Sequence, residues 1–252
     1  MSTASIPSTI QPEPDLYGQT VVVIGGSAGI GLETARQARA KGARIILTAR
    51  TPDHLNRAAS EVDALSTAVF DAEDSNALDR FFQNLPQIDH VMLTAGRPIY
   101  GRMLDMDIEQ ARRSLDGHLL LMLQVARNAA HKVRPGGALL FMGGTGARRP
   151  ALGVGLTSAV TAAMPALTAN LALELAPIRV NLIAAGFVDT PLSAQLLGDE
   201  LENQRKQLRE KLPIGRVVGP ADVAALAVHI MINTALTGAT YDVDGGQQFV
   251  AA

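Results

Sequence analysis

The sequence predicts an open, parallel α/β sheet covered by helices on both faces, and three observations carry that prediction. The first is the stretch Val21 to Gly31, V-V-V-I-G-G-S-A-G-I-G, where an apolar β-branched run gives way at once to glycines at 25, 29 and 31. A helix-favouring segment, Leu32 to Lys41, follows and stops at Gly42. The second is that short apolar strands alternate with helices along the rest of the chain, as parallel strands require, since they can be joined only by long crossovers. The third is size: 252 residues, 47% apolar and 18% charged, suit one domain with a large core.

Taken in order, Ala43 to Ala49 reads as a buried strand, Asp53 to Val62 as a helix opening on Asp53, and Ser66 to Phe70 as a short strand ending at Asp71. Ser75 caps a helix running to Leu85. His90 to Leu93 is a strand flowing into Thr94-Ala95-Gly96, and Ile108 to Val133 is one long helix closed by Pro135 and two glycines. Ala138 to Met142 is the next strand. After a loop from Gly143 to Gly155 comes an Ala/Leu-rich helix, Thr157 to Leu175, which Pro165 tends to kink. The strand Arg179 to Ala184, the charged amphipathic stretch Leu192 to Leu212, the helix Asp222 to Ile232 and the strand Thr240 to Val243 complete a count of seven strands.

Composition narrows the function. Net charge is −2, aromatics are 4%, and no Lys/Arg block occurs, which argues against nucleic acid or an acidic membrane as partner and for a small-molecule substrate. Cysteine is absent, so there are no disulfides or thiolate metal sites, and no metal site is expected. Residues 1–16, rich in Ser, Thr and Pro, read as a flexible tail without the basic start and apolar centre of a secretory signal, ahead of one domain over residues 17–252. No apolar run is read as membrane-spanning, and a cytoplasmic protein is expected.

A glycine turn between strand and helix lets a phosphate approach the main chain, where the free N–H groups and positive end of the new helix attract it. Gly25, Gly29 and Gly31 fit the T-G-x-x-x-G-x-G of the short-chain dehydrogenase/reductase family, with Ile24 in place of Thr. Ala95-Gly96 fit the end of its N-N-A-G, Leu171 to Leu175 its L-A-L-E-L, and Arg179-Val180-Asn181 its R-V-N. Gly186 to Thr190 fit P-G-x-x-x-T with Ala185 for Pro, and Gly238 to Gly246 fit the family's tail. From Gln19 to Gln248 the chain therefore resembles that family. The resemblance implies a Rossmann-type domain and a dinucleotide held by Gly25, Ser27, Gly29, Ile30 and Gly31. It adds Arg50, Asp71 and Ala72 at the adenosine end, Ala95 and Gly96 after the fourth strand, and Gly186, Val188 and Thr190 after the sixth. Arg50 lies 19 positions after Gly31, where an NAD site presents a carboxylate, so NADP is expected over NAD.

The resemblance also implies a catalytic set of tyrosine, lysine, serine and asparagine. Aligned through Leu171 to Leu175, these positions hold Thr157, Thr161, Gly144 and His118. No tyrosine or lysine occurs from Pro135 to Leu201, so no shift of alignment recovers them. Replacement donors are few: His118, Tyr100 beyond Gly96, and Thr157 or Ser158, whose aliphatic hydroxyls are very weak acids. Arg148 and Arg149 either draw an anionic substrate to the rim or face water. Two functions stay open: an NADP-dependent oxidoreductase with an atypical or weakened site, and a non-catalytic NADP-binding sensor or inactive subunit. Self-association as a homodimer or homotetramer is expected from the resemblance and from Leu119 to Leu123, apolar around most of the helix.

Overall fold

Val21, Val22, Val23 and Ile24 are each fully buried because their strand, β1 (Thr20–Ile24), runs through the middle of the molecule with a helical layer on either side. The structure, a computed structural model, describes residues 15–250. Most of the expected tail lies outside the described residues. Leu16, assigned to it above, is fully buried and its N–H donates to the Lys41 carbonyl at 2.9 Å, so the packed domain already includes it.

After β1 come α1 (Gly29–Ala40), β2 (Arg44–Ala49), α2 (Pro52–Glu61), β3 (Ser66–Val69), α3 (Ser75–Asn84), β4 (Ile88–Leu93), α4 (Ile108–Leu115) and α5 (Leu121–Ala129). Then follow β5 (Val133–Gly144), α6 (Gly155–Glu174), β6 (Arg179–Ala185), α7 (Pro191–Leu197), α8 (Leu201–Lys211), α9 (Pro220–Ile232) and β7 (Thr240–Val243). Among the described residues the strands form one seven-stranded, wholly parallel sheet in the order β3-β2-β1-β4-β5-β6-β7. Alternate residues build two cores. Val22, Ile24, Val91, Leu93, Leu139 and Phe141 pack under α3, α5 and α6, whereas Val21, Val23, Met92 and Leu140 pack under α1, α2 and α9.

Several expectations need correction. The long helix expected over Ile108 to Val133 is α4 and α5 joined by a π-helical turn, Asp116–Leu120, and it ends at Ala129. Val133 already pairs with Ile88, and the chain then bulges at the Pro135 and glycine stretch before Ala138 pairs with His90, so β5 starts earlier than Ala138. Leu192 to Leu212 is divided by Gly198, whose φ of +51° ends α7 before a short 3-10 turn leads into α8. The side chain capping α3 is that of Asp74, accepting from the Ala77 N–H, not Ser75. Similarly α2 begins at Pro52, with Asp53 in its first turn. Helix α6 starts at Gly155, two residues before the expected Thr157, and continues past Pro165 to Glu174, with Val160, Met164 and Leu171 holding it on the sheet. Contrary to the expectation that no run is membrane-spanning, that helix is long and apolar enough by composition to cross a membrane; here one side of it packs on the sheet.

At the end of the sheet away from the cleft described below, Arg179 is buried and donates to the carbonyls of Gly136, Ile230, Met231, Asn233 and Leu236. Asn181 donates to the Leu236 carbonyl and accepts from the Ala239 N–H. The R-V-N stretch thus ties the end of α9 and the entry to β7 onto β6. Nearby, His90 is 2% exposed; Nε2 lies 2.7 Å from Gln19 Oε1 and Nδ1 has no partner. Desolvation, with the Arg179 charge adding to it and Asp89 opposing it, lowers the His90 pKa to about 4. Unfolded, the ring takes up its proton near the ordinary value of about 6.5. The contribution of neutral His90 to stability is therefore complete above that value and is lost as pH falls toward 4, an effect of up to about 3 kcal/mol. Urea midpoints measured between pH 7 and 4.5 should fall less steeply for His90→Leu than for the wild type. Parallel curves would refute the assignment.

Candidate functional site

The polypeptide leaves β1 toward one face of the sheet and β4 toward the other, so a crevice opens at their carboxyl ends, where the strand order reverses. The Gly25 and Gly26 N–H groups both donate to the Thr48 carbonyl at 3.0 Å, and Gly25 takes φ +91°. A Cβ on Gly25 would lie 2.8 Å from Ala95 N and Thr94 Oγ1; one on Gly31 would lie 2.5 Å from the Gly25 carbonyl oxygen. Glycine is needed at both for α1 to start this close to the strands. Ala28, at the N-cap of α1, offers no side-chain cap, and the first turn holds no acidic residue, so its N–H groups are left for an anion. The residues present therefore fit a dinucleotide's phosphates.

The crevice continues into a cleft of about 530 Å³. Of the residues expected to hold a cofactor, Gly25, Gly29, Ile30, Gly31, Ala95, Gly96, Gly186, Val188 and Thr190 line it. Ser27, Arg50, Asp71 and Ala72 do not. The Arg50 guanidinium is exposed at the end of β2, 3.8 Å from the Asp71 carboxylate, beyond hydrogen-bond range and open to a further anion. The Thr190 hydroxyl caps α7, accepting from the Ser193 N–H at 3.2 Å. Phe187, at a variable position of the Gly186 to Thr190 motif, and Leu192, Leu196 and Leu197, which belong to no motif, add apolar lining, with Gln204 reaching in from α8. The bidentate pair of Arg205 with Asp189, at 2.7 and 2.9 Å, holds α8 against the loop that follows β6.

His118, Gly144, Thr157 and Thr161 all line this one cleft. Thr157 Oγ1 donates to the Ile99 carbonyl at 2.8 Å, and Thr161 Oγ1 to the Ser158 carbonyl at 3.0 Å. Both hydroxyl hydrogens are committed. His118 sits on the π-helical turn with Nδ1 2.8 Å from the Ser114 carbonyl, which fixes the proton of the neutral ring on Nδ1 and leaves Nε2 a lone pair facing Gly96. Tyr100 also lines the cleft, and partial burial raises its pKa, which makes its phenol a weaker acid than a free one. Arg148 is turned away, paired with Asp242 and bonded to Gln248, and neither it nor Arg149 lines the cleft. The rim reading for these arginines is not supported.

A glycine turn at the switch point of a parallel sheet, with an uncapped helix start facing a cleft, defines a nucleotide-binding α/β protein. Comparison with known proteins is more specific. The family model for enoyl-(acyl carrier protein) reductase matches residues 25–248. Dehydrogenase/reductase SDR family member 4 of Oryctolagus cuniculus is 29% identical over 246 residues, spanning 92% of this chain and 94% of its own. The cyclic-di-GMP-binding biofilm dispersal mediator protein of Escherichia coli (strain K12) is 28% identical over 238 residues, spanning 90% and 96%. Among solved structures, a small-chain dehydrogenase in complex with NADPH superposes with a TM-score of 0.79 at 27% identity, covering 92% of this chain and 99% of its own. The MalC reductase/Diels-Alderase of Malbranchea aurantiaca superposes at 0.86 with 25% identity, covering 93% and 98%. The chain belongs to the short-chain dehydrogenase/reductase family.

Proposed function

We propose that this protein is an NADP(H)-dependent oxidoreductase whose cofactor cradle is complete and whose proton-donating machinery is absent. One observation carries the reading: the glycine cradle and the positions of Thr157, Thr161, Gly144 and His118 share a single cleft, yet both threonine hydroxyls are bonded to backbone carbonyls, Gly144 has no side chain and the His118 Nδ1 is bonded to the Ser114 carbonyl. Backbone N–H groups at the start of α1 would hold the pyrophosphate, Arg50 the 2′-phosphate, and Gly186 to Thr190 the nicotinamide end. Bound NADPH supplies a hydride. The chain's own contribution is then to orient that hydride and exclude water, with neither the tyrosine nor the lysine of the family's set in place to protonate an alkoxide as it forms. A structural neighbour solved in complex with NADPH supports the choice of cofactor.

The test has two parts on purified protein: titration with NADPH and NADH, and NADPH oxidation over a panel of unactivated ketones. Tight NADPH binding with turnover far below that of relatives is expected. Rapid reduction of several ketones would overturn the reading, and binding with no turnover on any acceptor would favour the non-catalytic sensor or inactive subunit. Arg50→Ala should weaken NADPH about tenfold, from loss of one exposed charge-assisted contact, and leave NADH unchanged. Equal loss for both cofactors would remove Arg50 from the 2′-phosphate site.

The same reading includes self-association through α4, α5 and α6. Leu115, Leu120 and Leu123 are exposed there, and the side of α6 turned from the sheet is a run of alanines ending at Leu173, 80% exposed. Small side chains let two helices approach closely, and a second copy of this face would cover the leucines. Light scattering at micromolar concentration should give a dimer or tetramer. A monomer would refute this.

A further inference from the structure

Among the described residues, the cleft carries no Lys, Arg, Asp or Glu on its wall. A substrate of either charge finds no side-chain counter-ion there, so the neutral groups of the wall decide which charge is better received. What the wall offers is electron-rich and neutral: the Tyr100 ring, the Nε2 lone pair of His118, the sulfurs of Met142 and Met164, and Gln204. Such surfaces favour a diffuse cation, above all through the aromatic face.

The proton balance points the same way. Hydride addition to a ketone leaves an alkoxide, and addition to a conjugated alkene leaves an enolate; each anion needs a proton or a cation as it forms. The hydroxyl hydrogens of Thr157 and Thr161 are held by the Ile99 and Ser158 carbonyls, Gly144 has no side chain, the Nδ1 hydrogen of His118 is held by the Ser114 carbonyl, and burial makes the Tyr100 phenol a weaker acid. An acceptor that enters already positive ends neutral. We infer that the substrate is an apolar iminium ion, a C=N⁺ group flanked by hydrocarbon, reduced at carbon to the tertiary amine; this rests on the NADP(H) reading above. The hydride and its electron pair form the new C–H bond, the C=N π pair moves onto nitrogen and cancels its charge, the dihydronicotinamide is left oxidised, and no proton is transferred.

The experiment compares two bicyclic acceptors of one size, N-methyl-3,4-dihydroisoquinolinium and the neutral ketone α-tetralone, with NADPH affinity measured first. The iminium should be reduced at least about a hundredfold faster, the margin that general acid catalysis commonly supplies and the ketone lacks here. Its enzymatic rate, corrected for the spontaneous reaction, should be flat with pH where NADPH is stable. A second readout needs no turnover: calorimetry on the NADPH-loaded protein with N,N-dimethyl-tetrahydroisoquinolinium, which cannot be reduced, against neutral 2,2-dimethyltetralin. The cation should bind about tenfold tighter, a preference kept in Tyr100→Phe and lost in Tyr100→Leu. If NADPH binds but the cation shows no preference, or α-tetralone is reduced as fast with a rate that climbs in acid and vanishes in His118→Leu, the inference fails and the cofactor assignment stands. Failure to bind NADPH overturns both.

Discussion

Replacing three residues together, as Gly144→Ser, Thr157→Tyr and Thr161→Lys, should raise NADPH-dependent reduction of a simple ketone by about two to four powers of ten, the usual worth of a positioned general acid. At position 144 the backbone leaves room for the serine. A Cβ on Gly144 would sit 3.4 Å from Thr161 Cγ2 and 3.5 Å from the Ala185 carbonyl oxygen, ordinary contacts, and the other two positions already face the cleft. Thr157 gives up only its bond to the Ile99 carbonyl. The decisive control is Thr157→Tyr without the lysine, which should gain much less, since the nearby ammonium is what makes the phenol acidic enough. If the triple variant binds NADPH as the wild type does but reduces ketones no faster, the missing proton donor is not what limits this protein.

The second large effect is expected at Gly31. A Cβ there would stand 2.5 Å from the Gly25 carbonyl oxygen and 2.6 Å from Thr94 Oγ1. Neither atom can retreat cheaply: the Thr94 hydroxyl is within 3.1 Å of both the Ile24 and Gly25 carbonyls, binding the end of β1 to the end of β4. In Gly31→Ala the start of α1 must move outward, at a cost of about 1–3 kcal/mol for overpacking, seen as a fall of several degrees in the melting temperature. Because the same movement withdraws the N–H groups that would hold the pyrophosphate under the proposed reading, NADPH affinity should drop by about tenfold or more. Gly29→Ala is the comparison: its Cβ meets nothing nearer than Thr190 at 3.5 Å, so only its φ of +54° is strained. Equal losses in the two variants would show that backbone conformation, not close approach, is what the turn requires.

What the sequence by itself determined is whatever depends on neighbours along the chain. The β-branched run into Gly25, Gly29 and Gly31 specifies a strand, a turn and a helix start through local sterics and periodicity, and the alternation that follows specifies a parallel sheet. The lack of any tyrosine or lysine from Pro135 to Leu201 is likewise a fact of composition. Only the tertiary structure decided where individual side chains spend their bonds. Arg179 and Asn181 match a family motif, yet they bond carbonyls some fifty residues away and serve the scaffold, not the cleft. Arg148 turns to Asp242 on β7 instead of the rim. The π-helical turn that presents His118 also has no local signature, and Gln204 reaches the cleft on a helix that Arg205 ties to Asp189 and Leu208 packs into the molecule. A side chain settles on the partner that best offsets its desolvation, and when that partner is supplied by a distant strand or helix, no window of sequence contains both halves of the interaction.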